Sequence, residues 1–474
     1  MSSTFGALNT AFTGMSAARQ GMELAGHNIA NANTEGYTRQ RVNSSGVAAP
    51  AQTGLFAGKP AAGQGVTIDQ IARLGDVFAD AQVRATASSA GYASVRSTAL
   101  SSIEATLREP GTDGLSAKMD ALWASWGDVS NQPGEAAPAA ALLQNAATLS
   151  AQISSGYGEL DSQWTATRAK TGGMVDDLNI ATGQIAELNK QIRSTLNAGG
   201  TANELIDKRN VLASSVASLA GGTVRDKGDG TIDVLVGGNA IVSGSDAREV
   251  KLTGSFTMIG SSTSPVQLEW ADKPGQALAL DGGQLAGALS VLAPANGGSG
   301  GAIAEAAESY NALAQKLTTD VNTLHQAGST PGGTTGLDFF SLKAGVPAAQ
   351  GLTVVPTSAA DLATGTPGKG AYDGSNADAI SRIGQLATSP NAQWSAVVTK
   401  IGVTAKAENL QAQLTDTAAA SAAQAQQSTA GVSLDEENIS LLANQRAFEA
   451  SSRVYSALDQ ALDTLINRTG LVGR

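Results

Sequence analysis

The chain has no cysteine, which excludes disulfides and thiolate metal sites. It has two histidines, His27 and His325, too few for a histidine-rich metal centre. Aromatic residues make up only 4% of the 474 positions, and much of the 42% hydrophobic content is alanine. Small residues suit closely packed helices better than a wide aromatic-lined ligand pocket. Cations are the minority, with 30 Lys and Arg against 41 Asp and Glu and a net charge of −11. That balance argues against nucleic acid, whose phosphates are met by Lys and Arg, and against a polybasic contact with anionic lipid. No apolar run approaches the roughly 18 residues of a membrane-spanning helix. The first residues lack a basic region followed by a continuous apolar core, so no cleaved secretory signal is expected. No phosphate-cradling glycine loop of the Walker or dinucleotide type is present, and no cofactor is expected.

Helical periodicity dominates what is there. Residues 3–32 read as a helix with Phe5, Leu8, Phe12, Met15, Met22 and Ile29 at spacings of three and four. One heptad position is apolar throughout (Leu8, Met15, Met22, Ile29), while the other turns into Arg19 and Gly26. A coiled-coil seam and an ordinary amphipathic face both fit. A helical pattern also spans about 76–108. After Pro138 an apolar stripe runs through Leu142, Leu149, Ile153, Leu160 and Trp164, and resumes after Gly172-Gly173 with Leu178, Ile185 and Ile192. Unbroken, this helix is about 90 Å long at 1.5 Å per residue, and the glycine pair is the place for a kink. A shorter helix follows in ELIDKRNVLASSVASLAGG, with Gly221 placed as a C-cap. The last helix has the firmest heptad: Leu434, Leu441, Phe448, Tyr455 and Leu462 recur every seven residues, with Asn444, Ser451, Leu458 and Leu465 between them.

The middle differs. TVRDKGDGTIDVLVGGNAIVSG places Asp-Gly and Gly-Gly turns between alternating apolar residues, which predicts hairpins. The expected fold is therefore α+β and multidomain: long antiparallel terminal and core helices, coiled-coil-like, with an inserted β-rich outer domain. The expected division is terminal assembly helices at 1–40 and 430–474 and a helical core at 41–222, 296–328 and 376–429. A β-rich insertion falls at 223–295, and an irregular or small β element, with one good strand in LTVV, at 329–375. Residues 41–65 read as an irregular arm leading to a strand in GVTIDQI.

Candidate chemistry is sparse. GGSGG at 297–301 matches G-x-S-x-G, which makes Ser299 a formal nucleophile for a serine hydrolase, but glycine linkers meet that pattern easily. DKGDGTID fails the ligand spacing of a calcium loop, and a hairpin turn accounts for its aspartates. His27 has no acid or nucleophile near it in sequence. It lies in HNIANANTEGYTRQ, where Asn28, Asn31 and Asn33 read as a helix end and Gly36 with Tyr37 as a change of direction.

NIANANTEGYTRQ closely resembles the N-terminal signature of the bacterial flagellar axial proteins of rod, hook and hook-associated type, and GVSLDEENISLLANQRAFEASSRVYSALDQALDTLIN resembles their C-terminal signature. The interior segments ELIDKRNVLASSVASLAG, DGGQLAGAL and LAQKLTTDVNTLHQAG with GLDFF resemble the hook–filament junction family of that group, the hook-associated protein 1 family. GVTIDQIARLGDVFADAQ and WGDVSNQPGEAAPAAALLQNAATLSAQI are similar to that family's long helical domain, whereas 341–400 is not matched. A rod or hook subunit would share the termini but not ELIDKRN or LTTDVNTLHQAG. The resemblance implies a structural protein, not an enzyme, that leaves the cell without a cleaved signal peptide and is found extracellularly in the flagellum. It implies a ring of copies between the hook protein and the second hook-associated junction protein, and a cytosolic export chaperone on the C-terminal helix. The assembly interface would be formed by Phe5, Leu8, Phe12, Met15, Met22 and Ile29 with Leu434, Leu441, Phe448, Tyr455, Leu458, Leu462 and Leu465. Asn28, Asn31, Asn33, Gly36 and Tyr37 would form the N-terminal signature.

Overall fold

A computed structural model of the chain describes residues 4–49 and 63–467. Most of the expected 41–65 arm and the outermost ends of the terminal segments lie outside those residues. Helix α1 (Thr4–Ala30) leads through a turn into strand β1 (Gln40–Gly46), which pairs antiparallel with β2 (Val66–Arg73) across a bulge at Asn43/Ser44. Four helices follow: α2 (Val77–Leu107), α3 (Leu115–Asn131), α4 (Ala136–Asn197) and α5 (Asn203–Ala220). A four-stranded antiparallel sheet is built in chain order from β3 (Thr223–Asp226), β4 (Ile232–Val236), β5 (Asn239–Ser243) and β6 (Asp246–Ala247). A separate two-stranded hairpin of β7 (Val250–Thr253) and β8 (Gln267–Trp270) follows. Helices α6 (Gly283–Leu292) and α7 (Ala302–Ala327) return the chain to the helical body. Strand β9 (Phe340–Leu342), helix α8 (Ala348–Gly351) and strand β10 (Leu352–Val354) form a small element packed on α4 and α7, followed by α9 (Ser375–Ser381). Helices α10 (Pro390–Ala430) and α11 (Leu434–Asn467) finish the chain. The fold is α+β and multidomain.

The helix ends follow local chemistry. The Asp76 carboxylate accepts the free N–H groups of Phe78 and Ala79 at the start of α2. Ser389 caps α10 through Ala392, with Pro390 in the first helical position. Gly221 ends α5 at φ 77°, the left-handed C-cap expected from sequence.

Helix α4 is unbroken over 62 residues, so Gly172-Gly173 does not split it. The reason is packing on both sides of the pair. Leu142, Leu149, Ile153, Leu160 and Trp164 enter one core with α2, α3, α7 and α10. Leu178 and Ile185 enter a second core with α5 and the β-sheet. Each glycine costs about 1 kcal/mol of helix propensity, while each fully buried large apolar side chain contributes roughly 1.5–3 kcal/mol.

The aspartates of DKGDG make the β3–β4 turn: Asp226 accepts from the Gly228 N–H and Asp229 from the Thr231 N–H. Ser299 is exposed, and its hydroxyl donates to the Asn296 carbonyl. The GGSGG loop is folded around Glu305, whose carboxylate accepts the N–H groups of Asn296, Gly298 and Gly300 and is held below its ordinary pKa by them against the opposing effect of burial. His325 is fully buried, its Nδ1 bonded to the Leu337 carbonyl and its Nε2 accepting the Ala363 N–H. Burial pushes its pKa down, and the imidazole serves as a neutral strut between α7 and the two loops beyond it. Neither histidine hydrogen-bonds Ser299.

One element differs from expectation. Residues 41–46, at the start of the arm, belong to strand β1, because QRVNSSG pairs with the anticipated β2 although its own apolar content is small.

Candidate assembly site at the terminal helices

Helices α1 and α11 lie antiparallel against one another. The α1 residues that face inward are Ala11, Gly14, Ala18, Gly21, Ala25 and Asn28, spaced three and four apart. A Cβ at Gly14 would lie 3.2 Å from the Ser451 hydroxyl, and one at Gly21 would lie 2.5 Å from Asn444 Oδ1. Asn28 bonds Glu437. Each step of seven along α1 therefore matches a step of seven back along α11, from Ser451 to Asn444 to Glu437. The same register sets Ser440, Ala447 and Val454 level with Ala25, Ala18 and Ala11. The pair is a close-packed heptad in which glycine and alanine of α1 meet Ser440, Asn444, Ala447 and Ser451 of α11.

This seam is displaced from the one read in sequence. Leu8, Met15, Met22 and Ile29 flank the contact and are half-buried. Phe5 (70% exposed) and Phe12 (55%) point away from it. On α11, Leu441, Phe448, Leu458 and Leu462 are half-buried, whereas Leu434, Tyr455 and Leu465 are exposed. Alanine and glycine at period seven carry little hydropathy signal beside Met and Leu, so apolar counting selected the neighbouring stripe. The period itself was visible in Ala11, Ala18 and Ala25.

At the inner end of the pair the signature residues form a polar knot. Asn28, 1% exposed, uses every hydrogen-bonding position it has. Its Nδ2 donates to the Gln40 carbonyl (2.9 Å) and to Glu437 Oε2 (3.0 Å). Its Oδ1 accepts from the Tyr37 hydroxyl (2.7 Å) and the Gln40 N–H (3.1 Å). Because Tyr37 spends its proton on Asn28, its oxygen is left to accept from His27 Nδ1 at 3.0 Å. Burial first, and then the charges of Glu204, Asp207 and Glu437, raise the Tyr37 pKa and keep the phenol neutral. Asn31 bonds the His27 carbonyl of its own helix, and Asn33 is exposed. Gly36 has φ 73° and a Cβ there would clash with Val211 Cγ2, so a side chain is disfavoured by backbone and space together.

Arg39 clasps α11 through Glu437 (2.6 Å) and Glu436 (2.5 Å), and its N–H bonds the Ala430 carbonyl at the end of α10. Burial lowers the Arg39 pKa, and the two carboxylates more than offset that, so it ends above its ordinary value. The ELIDKRN segment is the other half of the knot. Glu204 accepts from Gln40, while Asp207 accepts the Thr38 N–H and pairs with Arg73. Arg209, pushed down to about 10 by burial, donates to Asn189 and to the Gly230 carbonyl. The three most distinctive sequence segments therefore meet in one place, an elbow that ties the terminal helices to the helical body and to the first β-turn. Sequence reading missed Gln40, the last residue of the N-terminal motif, and Asn203, Asp207 and Glu437, whose partners are more than a hundred residues away in the chain.

Among the described residues no helix is long and apolar enough to cross a membrane, and no cluster of side chains has metal-binding composition.

The sequence profile of the flagellar hook-associated protein FlgK helical domain matches residues 100–340. Profiles of the basal body rod proteins match the two ends, residues 8–38 and 423–468. The chain is 28% identical to flagellar hook-associated protein 1 of Bacillus subtilis, with both chains covered in full. It is also 28% identical to the Escherichia coli protein of that name, across 71% of this chain and 60% of that one. The solved flagellar hook junction protein FlgK from Burkholderia pseudomallei superposes with a TM-score of 0.64 over 74% of this chain and all of that one; at 16% identity this bears on fold alone. With a matched profile over half its length, the chain belongs to the flagellar hook-associated protein FlgK family, structural proteins of the hook–filament junction.

Proposed function

We propose that this chain forms a ring between hook and filament, its terminal helices packing into an axial tube and its outer domains radiating from the elbow. The supporting observation is the division of labour on the terminal helices. Small residues close the α1–α11 pair, while Phe5, Phe12, Leu434, Ile439, Leu442 and Val454 remain exposed on it. Apolar side chains left half or more exposed on two adjoining helices add little to the monomer, and a tube of neighbouring copies would bury them. The partners on this reading are further copies of the chain, the hook protein on one side and the second hook-associated junction protein on the other. The exposed apolar face of α11 also suits a cytosolic export chaperone, with export through the flagellar apparatus needing no cleaved peptide. Asn28, Gly36 and Tyr37 of the N-terminal signature set the angle at which the outer domains leave the tube.

Deleting the gene tests the reading. The expected result is hooks that end without filaments, with monomeric flagellin lost to the medium, and recovery on complementation. Normal filaments on the deletion strain would overturn it.

A further inference from the structure

Packing arranges the helices above the elbow as a layer in the order α10, α2, α5, α4. Helix α10 is tied to α2 by Arg96–Glu408 and Gln426–Asp80, and α2 approaches α5 closely where Gly91 meets the Ser218 carbonyl. The two edges of the layer are unlike. The α10 edge is a ridge: Val403, Leu410 and Leu414 stand 65%, 52% and 67% exposed, with Lys406 on the same face. The other edge is a groove between α4 and α5, lined by Ile180, Gln184, Leu188, Val211, Leu212 and Leu219, with hollows of 490 and 350 Å³ along it.

Ridge and groove lie at one height. The antiparallel bonds Ser97–Asn409 and Asp80–Gln426 set Leu414 level with Tyr92, next to Gly91. Gly91 is level with Ser218, which lines the groove beside Ile180. Both α10 and α4 run towards the elbow, where Ala430 meets Arg39 and where Asn203, just after α4, meets Gln40. Copies related by an axis share one orientation, so a ridge from one and a groove from the next would meet as parallel helices. The charges agree as well: Lys406 lies on the side of Leu414 away from the elbow, and the exposed Asp176 and Asp177 lie on that same side of Ile180. A closed ring requires two different complementary surfaces on each copy.

We propose that the α10 ridge of one copy seats in the α4/α5 groove of the adjacent copy, with Leu414 entering the hollow beside Ile180 and Lys406 facing Asp176 and Asp177. This rests on the ring-forming reading above and names the lateral contact within it.

The absence of cysteine gives a clean test. A chain carrying Ile180→Cys and Leu414→Cys is expressed in the deletion strain, and isolated hook–filament complexes are treated with copper phenanthroline. The expected result is a ladder of cross-linked chains from the double variant, none from either single variant, and none from the dilute monomer. Cross-linking by a single variant, a bridge within one monomer, or no ladder from complexes bearing normal filaments would each overturn the proposal. Leu414→Lys guards against an uninformative double variant: it should leave the monomer's melting temperature unchanged and abolish filaments, and normal filaments would overturn the contact. If the wild-type chain itself fails to restore filaments, the ring-forming reading fails instead.

Discussion

Gly21→Leu will separate α1 from α11 while the two cores above the elbow stay folded. A Cβ at this position already meets the Asn444 amide, and leucine adds three more carbons to the same spot. Overpacking a closed contact typically costs about 1–3 kcal/mol. The seam has little to set against that, because alanine and glycine bury few carbons and the hydrophobic gain is about 0.8 kcal/mol per buried CH2. The expected readout is rapid proteolysis within α1 and α11, loss of filaments in complemented cells, and a retained high-temperature unfolding transition from the cores. Gly26→Leu is the control, since a side chain there meets nothing within 4 Å. Leucine also favours helix over glycine by roughly 0.5–1 kcal/mol at both sites, so propensity alone predicts that neither change is harmful. Equal protease resistance of Gly21→Leu and wild type would refute the seam.

Asn28→Leu is expected to open the elbow. The change nearly preserves volume but removes four hydrogen bonds, and it leaves the Gln40 N–H and carbonyl buried without partners. At roughly 1 kcal/mol for each neutral bond, more for the bond to Glu437, and a further cost for the stranded groups, the local loss is about 4–6 kcal/mol. Amide exchange at Gln40 and in residues 31–40 should accelerate strongly, while the cores keep their protection. Asn33→Ala, at an exposed position in the same motif, should change stability by less than about 0.5 kcal/mol. Slow exchange at Gln40 in Asn28→Leu would show that the knot is held by Arg39 and Glu437 alone.

These two positions show which parts of the molecule were legible in sequence. The long helices were, because Leu142 to Trp164 and Leu178 to Ile192 repeat an apolar stripe that only a helix can bury on one side. The hairpins were, because Asp-Gly and Gly-Gly turns have few other conformations. The N-terminal seam was displaced, because a contact between small residues is defined by what is missing from the interface, and hydropathy counts what is present. The three asparagines read as a helix end, and Asn31 does bond its own helix. Asn28 instead serves as a four-way hub, which depends on Gln40, Tyr37 and Glu437 arriving from elsewhere. Propensity makes the α4 glycine pair the place for a break, and packing of Trp164 and Leu178 on either side of it overrides that.

The central claim is that the terminal helices carry two kinds of surface, a small-residue seam within the chain and large apolar residues kept for neighbours. Complementing the deletion strain with the double variant Phe5→Asp, Phe12→Asp tests it most directly. Both side chains are exposed in the monomer, so the variant should melt with the wild type and the exported chain should appear in the culture fluid. Buried in a tube, two carboxylates without partners would be costly enough to prevent assembly. Electron microscopy is therefore expected to show bare hooks, and filaments of normal number and length on these cells would contradict the claim.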